Sequence, residues 1–121
     1  MNKILIVDDS ITVRQQVVAA LKPAGFDVAE ACDGEDALTQ LLGGLAVGLV
    51  ICDVNMPKLN GLDMLERVRS EASIAATPVL MLTTEGQPEY IARAKALGAK
   101  GWMVKPFKAE LLVSAVKKLT A

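Results

Sequence analysis

The sequence predicts an α/β fold: an open, doubly wound sheet of five parallel strands with helices on both faces. Three observations lead there. Short apolar runs alternate with amphipathic stretches five times along the chain; the strongest runs are continuous, not alternating; and glycine, proline, asparagine or aspartate falls between them. A continuous apolar run marks a strand covered on both faces, as in parallel sheets. Strands that alternate with helices imply βαβ crossovers, which are right-handed almost without exception. Five such units are too few to close an eight-stranded barrel, so the sheet stays open.

The first strand is Ile4-Leu5-Ile6-Val7, followed by a helix on which Val13, Val17, Val18 and Leu21 repeat at helical spacing. Gly25 falls just past that helix, where a left-handed residue is wanted. A weaker strand lies near Asp27-Val28-Ala29-Glu30, and Asp33-Gly34 opens a helix carrying Ala37, Leu38, Leu41 and Leu42. Gly43-Gly44 and Gly48 belong to the loop before the third strand, Leu49-Val50-Ile51-Cys52. Asn60-Gly61 opens the third helix, with Leu62, Leu65 and Val68 on its apolar face. The fourth strand is Val79-Leu80-Met81-Leu82; Pro88 suits the first turn of the helix holding Ile91, Ala94 and Leu97, and Gly98 ends it. Trp102-Met103-Val104 makes the fifth strand, read with the strong runs as covered on both faces. Leu111, Leu112, Ala115, Val116 and Leu119 pattern the last helix. No linker or low-complexity segment interrupts the chain, so residues 1–121 read as one domain.

Composition narrows the chemistry. Thirteen basic residues against 14 acidic leave no basic footprint for nucleic acid. The start of the chain has no signal-peptide pattern, and no apolar run approaches the ~20 residues of a membrane helix, so a soluble cytoplasmic protein is expected. Cys32 and Cys52 read as two buried thiols in a reducing cytosol. The chain has no histidine, which removes the commonest general base, His-based triads and an ordinary zinc site. No GxxxxGK or GxGxxG loop is present to hold a nucleotide. Chemistry here must run on carboxylates, hydroxyls, lysine and a hard metal.

Those groups stand where such a sheet binds ligands, at the carboxyl ends of its strands. Asp8 and Asp9 follow the first run, Asp53 the third, Thr83 and Thr84 the fourth, and Lys105 the fifth. Any one of them is an ordinary loop residue, and Asp9 or Ser10 would serve as a helix cap. Four strand ends carrying such groups together point to one pocket. Clustered carboxylates repel one another, and Mg²⁺, an oxygen-loving octahedral cation, relieves that. Asp8, Asp9 and Asp53 suit it, with a backbone carbonyl near Asn55 as a further ligand. A carboxylate also attacks phosphorus to form an acyl phosphate, while metal, lysine and hydroxyl hold the phosphoryl oxygens.

The residues Ile6-Val7-Asp8-Asp9-Ser10, Asp53-Val54-Asn55-Met56-Pro57-Lys58-Leu59-Asn60-Gly61, Leu82-Thr83-Thr84, Gly98-Ala99 and Val104-Lys105-Pro106-Phe107 together resemble the receiver domain of bacterial response regulators, of the single-domain chemotaxis type. Receiver domains are themselves a standing example of the strand-end rule, so the resemblance and the pocket's location are not independent. It implies a flavodoxin-like strand order, 2-1-3-4-5. It implies Asp53 as phosphoacceptor, Asp8 and Asp9 as the Mg²⁺-binding pair, and Asn55 as a metal ligand through its carbonyl. Thr83, with Thr84 beside it, matches the switch hydroxyl and Lys105 the pairing lysine; Lys105-Pro106 matches a bond that is cis in the family. The donor implied is a phosphohistidine on a sensor histidine kinase. Asn55 and Glu85 match the pair that tunes dephosphorylation, in a combination similar to fast-cycling regulators, which implies a phosphorylated lifetime of seconds to minutes. Trp102 departs from the usual tyrosine or phenylalanine at the aromatic switch position. As the only tryptophan it should report the site by fluorescence.

Nothing follows the last helix, so output is expected from the surface: Ile91, Lys95, Trp102, Lys108 and Leu112, on the face the family uses. The leading reading is a monomeric messenger between a chemotaxis-type kinase and a motor switch or similar target. A phosphate sink or relay intermediate is the second. The third, an aspartyl-phosphate phosphatase of haloacid dehalogenase type, wants an acid two residues after the nucleophile, where this chain has Asn55. The chain is thus read as a switch and not an enzyme.

Overall fold

The computed structural model describes residues 2–121. The elements are β1 Lys3–Val7, α1 Ile11–Leu21, β2 Asp27–Ala31, α2 Gly34–Leu42, β3 Leu49–Cys52, α3 Gly61–Ser70, β4 Val79–Thr83, α4 Pro88–Ala96, β5 Gly101–Val104 and α5 Ala109–Thr120. All neighbouring strands are parallel, in the order β2-β1-β3-β4-β5. Among the described residues no helix is long and apolar enough to cross a membrane.

Local chemistry explains where the helices start. Ser10, Asp33 and Asn60 cap α1, α2 and α3, each side chain accepting the N–H of the third residue on: Val13, Asp36 and Asp63. Each cap satisfies a donor the helix leaves open, worth about 1 kcal/mol. Pro88 occupies the first turn of α4, where its missing N–H costs nothing. Gly25 takes a left-handed φ of 94° at the end of the 3-10 turn Lys22–Ala24 that follows α1, and Gly98 one of 77° just past α4.

The sheet divides the core in two. Ile4, Ile6, Leu49, Ile51, Leu80 and Leu82 face α1 and α5. Leu5, Val7, Val50, Cys52, Val79 and Met81 face α2, α3 and α4. Because β1, β3 and β4 carry both sets, they are apolar at every position from Ile4 to Val7, Leu49 to Cys52 and Val79 to Leu82, and this is why they read as unbroken runs.

Two sequence-based expectations need correction. β5 is not covered on both faces: Trp102 and Met103 are half-buried and Val104 is 56% exposed. It is an edge strand with a neighbour on one side only. Cys32, expected inside, is exposed, because it lies in the turn after β2, the opposite edge; Cys52 is buried. Partial shielding from water, together with the Asp33 and Asp36 carboxylates, raises the Cys32 thiol above its ordinary pKa. Burial pushes Cys52 much further up. A thiol reagent at neutral pH should therefore modify Cys32 slowly and leave Cys52 untouched until the chain is unfolded, which mass spectrometry of the labelled protein would read. Two adducts on the folded protein would contradict this packing.

Candidate functional site

The strand register builds the site. Val7 pairs with Cys52 and Cys52 with Met81, so Asp8 and Asp53 emerge side by side from neighbouring central strands. The Asp53 N–H donates to the Val7 carbonyl at 3.0 Å and locks that offset. Thr83 pairs with Val104, and the Lys105 N–H donates to the Thr83 carbonyl at 2.9 Å, so Lys105 leaves β5 toward the same edge. The Lys105-Pro106 peptide is cis.

Asp8, Asp9 and Asp53 each bring a carboxylate oxygen within 4.8 Å of the others. Lys105 Nζ donates to Asp8 Oδ2 at 2.7 Å and to Asp53 Oδ2 at 3.2 Å. The remaining oxygens of the buried pair are held by backbone: Asp8 Oδ1 accepts from the Ser10 N–H at 2.9 Å and Asp53 Oδ1 from the Val54 N–H at 2.7 Å. Asp8 and Asp53 are buried while Asp9 is exposed, so the cluster has a dry floor and one wet wall.

Burial raises the pKa of Asp8, and the Asp53 charge adds to it, against the hydrogen bonds from Lys105 and Ser10. Lys105 is also held above its ordinary value: burial disfavours its charge, but the Asp8 hydrogen bond and the Asp53 and Asp8 charges outweigh that. Three carboxylates against one ammonium leave an excess of two negative charges, and the donor set is all hard oxygen. Such a set fits Mg²⁺.

Around the cluster, Thr83 is fully buried and its Oγ1 accepts the Glu85 N–H at 3.1 Å. Asn55 Nδ2 donates to Glu85 Oε1 at 2.7 Å, joining the two residues paired from sequence as tuning positions. Trp102 Nε1 donates to the Glu85 carbonyl at 3.0 Å, so the indole is tied to the loop that follows Thr83. Thr84 is exposed and lines a groove of about 590 Å³ with Val13, Gln16, Lys105 and Phe107, on the α1 side of the site.

Ile91, Lys95 and Trp102 line one shallow groove between α4 and β5, and Lys108 is exposed at the start of α5. Leu112, predicted on this surface, is instead fully buried against the sheet; Leu111, 60% exposed, holds the outward place. Adjacent residues on a helix point about 100° apart, and the apolar pair Leu111-Leu112 does not say which faces in.

Sequence reasoning missed two supports. Gly61 lies so close to Asp53 that a β-carbon there would sit 1.9 Å from the Asp53 carbonyl oxygen. Arg14 Nη1 donates to the Asp8 carbonyl at 2.5 Å, and no motif contains it. A glycine eight residues after a strand-end aspartate was visible in the sequence; its partner was not.

The whole described architecture has known relatives. Residues 4–117 match the family described as response regulator receiver domain. The chain is 40% identical over 118 residues to the chemotaxis protein CheY of Pseudomonas aeruginosa, covering 97% of this chain and 94% of that one. It is 41% identical over 118 residues to the chemotaxis protein CheY-3 of Vibrio cholerae, covering 97% and 90%. The solved structure of Vibrio cholerae CheY4 superposes with a TM-score of 0.90 at 43% identity, covering 98% of each chain. With the acidic cluster, the lysine and the 2-1-3-4-5 sheet in one molecule, the chain belongs to the response regulator receiver domains, the signalling switches of two-component systems.

Proposed function

We propose that Asp53 takes a phosphoryl group from a phosphohistidine on a sensor histidine kinase, with Mg²⁺ bound by Asp8, Asp9, Asp53 and the Asn55 backbone carbonyl. The observation that carries this reading is the bridging of Asp8 and Asp53 by Lys105 inside a three-carboxylate cluster. Bound Mg²⁺ would offset the carboxylate repulsion and draw charge from the phosphoryl oxygens.

The protein's own groups do the rest. One Asp53 oxygen attacks phosphorus, the bond from phosphorus to imidazole nitrogen breaks, and the imidazole leaves as phosphoaspartate forms. Lys105, already charged and oriented, has the Asp53 carboxylate as partner before the reaction and a phosphoryl oxygen after it. The Thr83 hydroxyl, one strand over, supplies a further donor to that oxygen once the loop through Glu85 shifts. Trp102, bonded to the Glu85 carbonyl, would carry the shift to the groove it lines with Ile91 and Lys95.

The target reads that surface, including Lys108. We read the protein as a cytoplasmic, monomeric messenger between a chemotaxis-type kinase and a motor switch or similar protein; what favours a chemotaxis role is that relatives 40% and 41% identical to this chain are chemotaxis proteins. The domain spans residues 1–121.

Intact mass after incubation with acetyl phosphate should show one phosphoryl adduct with Mg²⁺ and none with EDTA. After donor removal the adduct should decay within seconds to minutes, as Asn55 and Glu85 leave a water path to phosphorus. No adduct under either condition would make the chain a phosphorylation-independent binding module, and decay over many hours would sink the fast-cycling reading.

A further inference from the structure

We propose that Arg14 is a positioning residue for the acidic cluster: its guanidinium fixes the Asp8–Asp9 peptide and so sets the direction in which Asp9 offers its carboxylate to a divalent cation. The inference rests on the receiver reading and adds a residue that reading does not use.

Asp9 differs from its neighbours. Asp8 is held by its N–H on the Ala31 carbonyl (3.1 Å), by Ser10 and by Lys105. Asp53 is held by Val7, Val54 and Lys105. Among the described residues, no hydrogen bond or ion pair holds the Asp9 side chain, which is exposed, yet one of its oxygens stands within 4.8 Å of the Asp8 and Asp53 ligand atoms. Its backbone must therefore aim it. The peptide unit is planar, so fixing the Asp8 carbonyl fixes the N–H and Cα of Asp9 as well. Arg14 is what fixes it, at 2.5 Å.

The other side of the guanidinium explains how it stays there. Arg14 Nε donates to Glu30 Oε1 at 3.0 Å, with the arginine side chain only 14% exposed. Two acceptors, one just past the end of β1 and one on β2, are spanned by one rigid fork, which a lysine ammonium cannot reproduce. Glu30 is tied onward: its backbone carbonyl accepts from Gln40 Nε2 at 2.9 Å, the same amide reaches Asp36 Oδ1 at 3.3 Å, and Asp36 Oδ2 accepts the Cys32 N–H at 3.0 Å. The clamp is thus anchored in α2. Glu30 also balances the guanidinium charge, so the geometry comes without a net positive field beside a cation site.

Calorimetric titration of the full chain with MgCl₂ tests this, using Arg14→Met, Arg14→Lys and a control, Arg69→Met. Arg69 makes a comparable clamp far from the site, donating to the carbonyls of Leu97 (2.7 Å), Ala75 (3.1 Å) and Thr77 (2.7 Å). Arg14→Met should weaken Mg²⁺ binding about tenfold, the usual scale for losing an outer-shell support. Arg14→Lys should fall between it and wild type. Arg69→Met should lose thermal stability but keep wild-type affinity. At saturating Mg²⁺ the phosphorylation rate of Arg14→Met should return to near wild type, a split that mere destabilisation does not produce. Affinity unchanged in Arg14→Met, or lost equally in Arg69→Met, overturns the proposal. If Arg14→Met does not fold, Arg14→Lys decides: wild-type affinity there overturns it and weakened affinity supports it. A wild type that binds no Mg²⁺ and takes no phosphoryl group sinks the receiver reading itself; a competent wild type beside an unaffected variant sinks only the role of Arg14.

Discussion

Asp53→Asn is expected to abolish the phosphoryl adduct and, in the same protein, to raise the thermal midpoint measured without metal. Asparagine has nearly the shape of aspartate and keeps an oxygen to accept the Val54 N–H, so the turn after β3 has no reason to move. The amide has no charged oxygen to attack phosphorus, so the adduct should vanish entirely. The stability effect follows from the sign of the local charge. Three carboxylates share one ammonium, and burial raises the Asp8 pKa with the Asp53 charge contributing. A carboxyl whose folded pKa lies above its unfolded value contributes stability at acid pH, and that contribution is lost as pH rises through the folded value. Ionised Asp8 is therefore a cost at neutral pH, and removing the Asp53 charge reduces it. Lys105 loses its longer contact, at 3.2 Å, and keeps the 2.7 Å bond to Asp8. A small rise in the midpoint is expected, since the Asp53 charge is the lesser contributor beside burial. Added Mg²⁺ should then raise the midpoint of the wild type more than that of the variant. An adduct surviving in Asp53→Asn would move the acceptor to another carboxylate. A lowered metal-free midpoint would mean that the Lys105–Asp53 contact outweighs the repulsion.

The sequence exposed the frame of this site because the frame obeys periodicity. Val7, Cys52, Thr83 and Val104 end, or nearly end, runs whose composition marks them as strands, and the residues after them meet because parallel strands share a direction. What escaped depends on angles and edges. Leu111 and Leu112 are equally apolar, and only the packed helix tells which is inside. Cys32 and Val104 lie at the two flanks of the sheet, where an apolar residue is not enclosed by neighbours on both sides. Arg14 belongs to no motif, since it reads as one more charge on a helix until β2 brings Glu30 opposite it. Long-range side-chain partners are fixed by tertiary contact, and a one-dimensional pattern carries no record of them.

Gly61→Ala is expected to destabilise the protein by about 3 kcal/mol, the upper part of the range for forcing atoms into a packed site, although alanine is the better helix former by about 1 kcal/mol. Gly61 opens α3 directly beneath the site. An added β-carbon would stand 1.9 Å from the Asp53 carbonyl oxygen, 2.8 Å from its carbon and 3.1 Å from Cys52 Sγ. The obstacle is backbone, not the end of a flexible side chain. That backbone is pinned by the Asp53 N–H on Val7 and by the Gly61 N–H on the Val54 carbonyl at 2.9 Å. Relief requires turning the Asp53 peptide or lifting the start of α3, and either moves the carboxylate relative to Lys105. Misplacement of a reacting group by about 1 Å can cost about a hundredfold in rate, so phosphorylation should fall by that order even when corrected for the folded fraction. Gly86→Ala is the matched control, because no atom lies within 4 Å of its β-carbon position and its φ is unremarkable. It should be neutral, or stabilising by up to about 1 kcal/mol. Urea unfolding beside acetyl phosphate kinetics would separate the two effects. Wild-type stability in Gly61→Ala would mean that this glycine is a helix-start signal and nothing more. A destabilised protein with an unchanged rate would mean that Asp53 is held from the β1 side alone, through Val7.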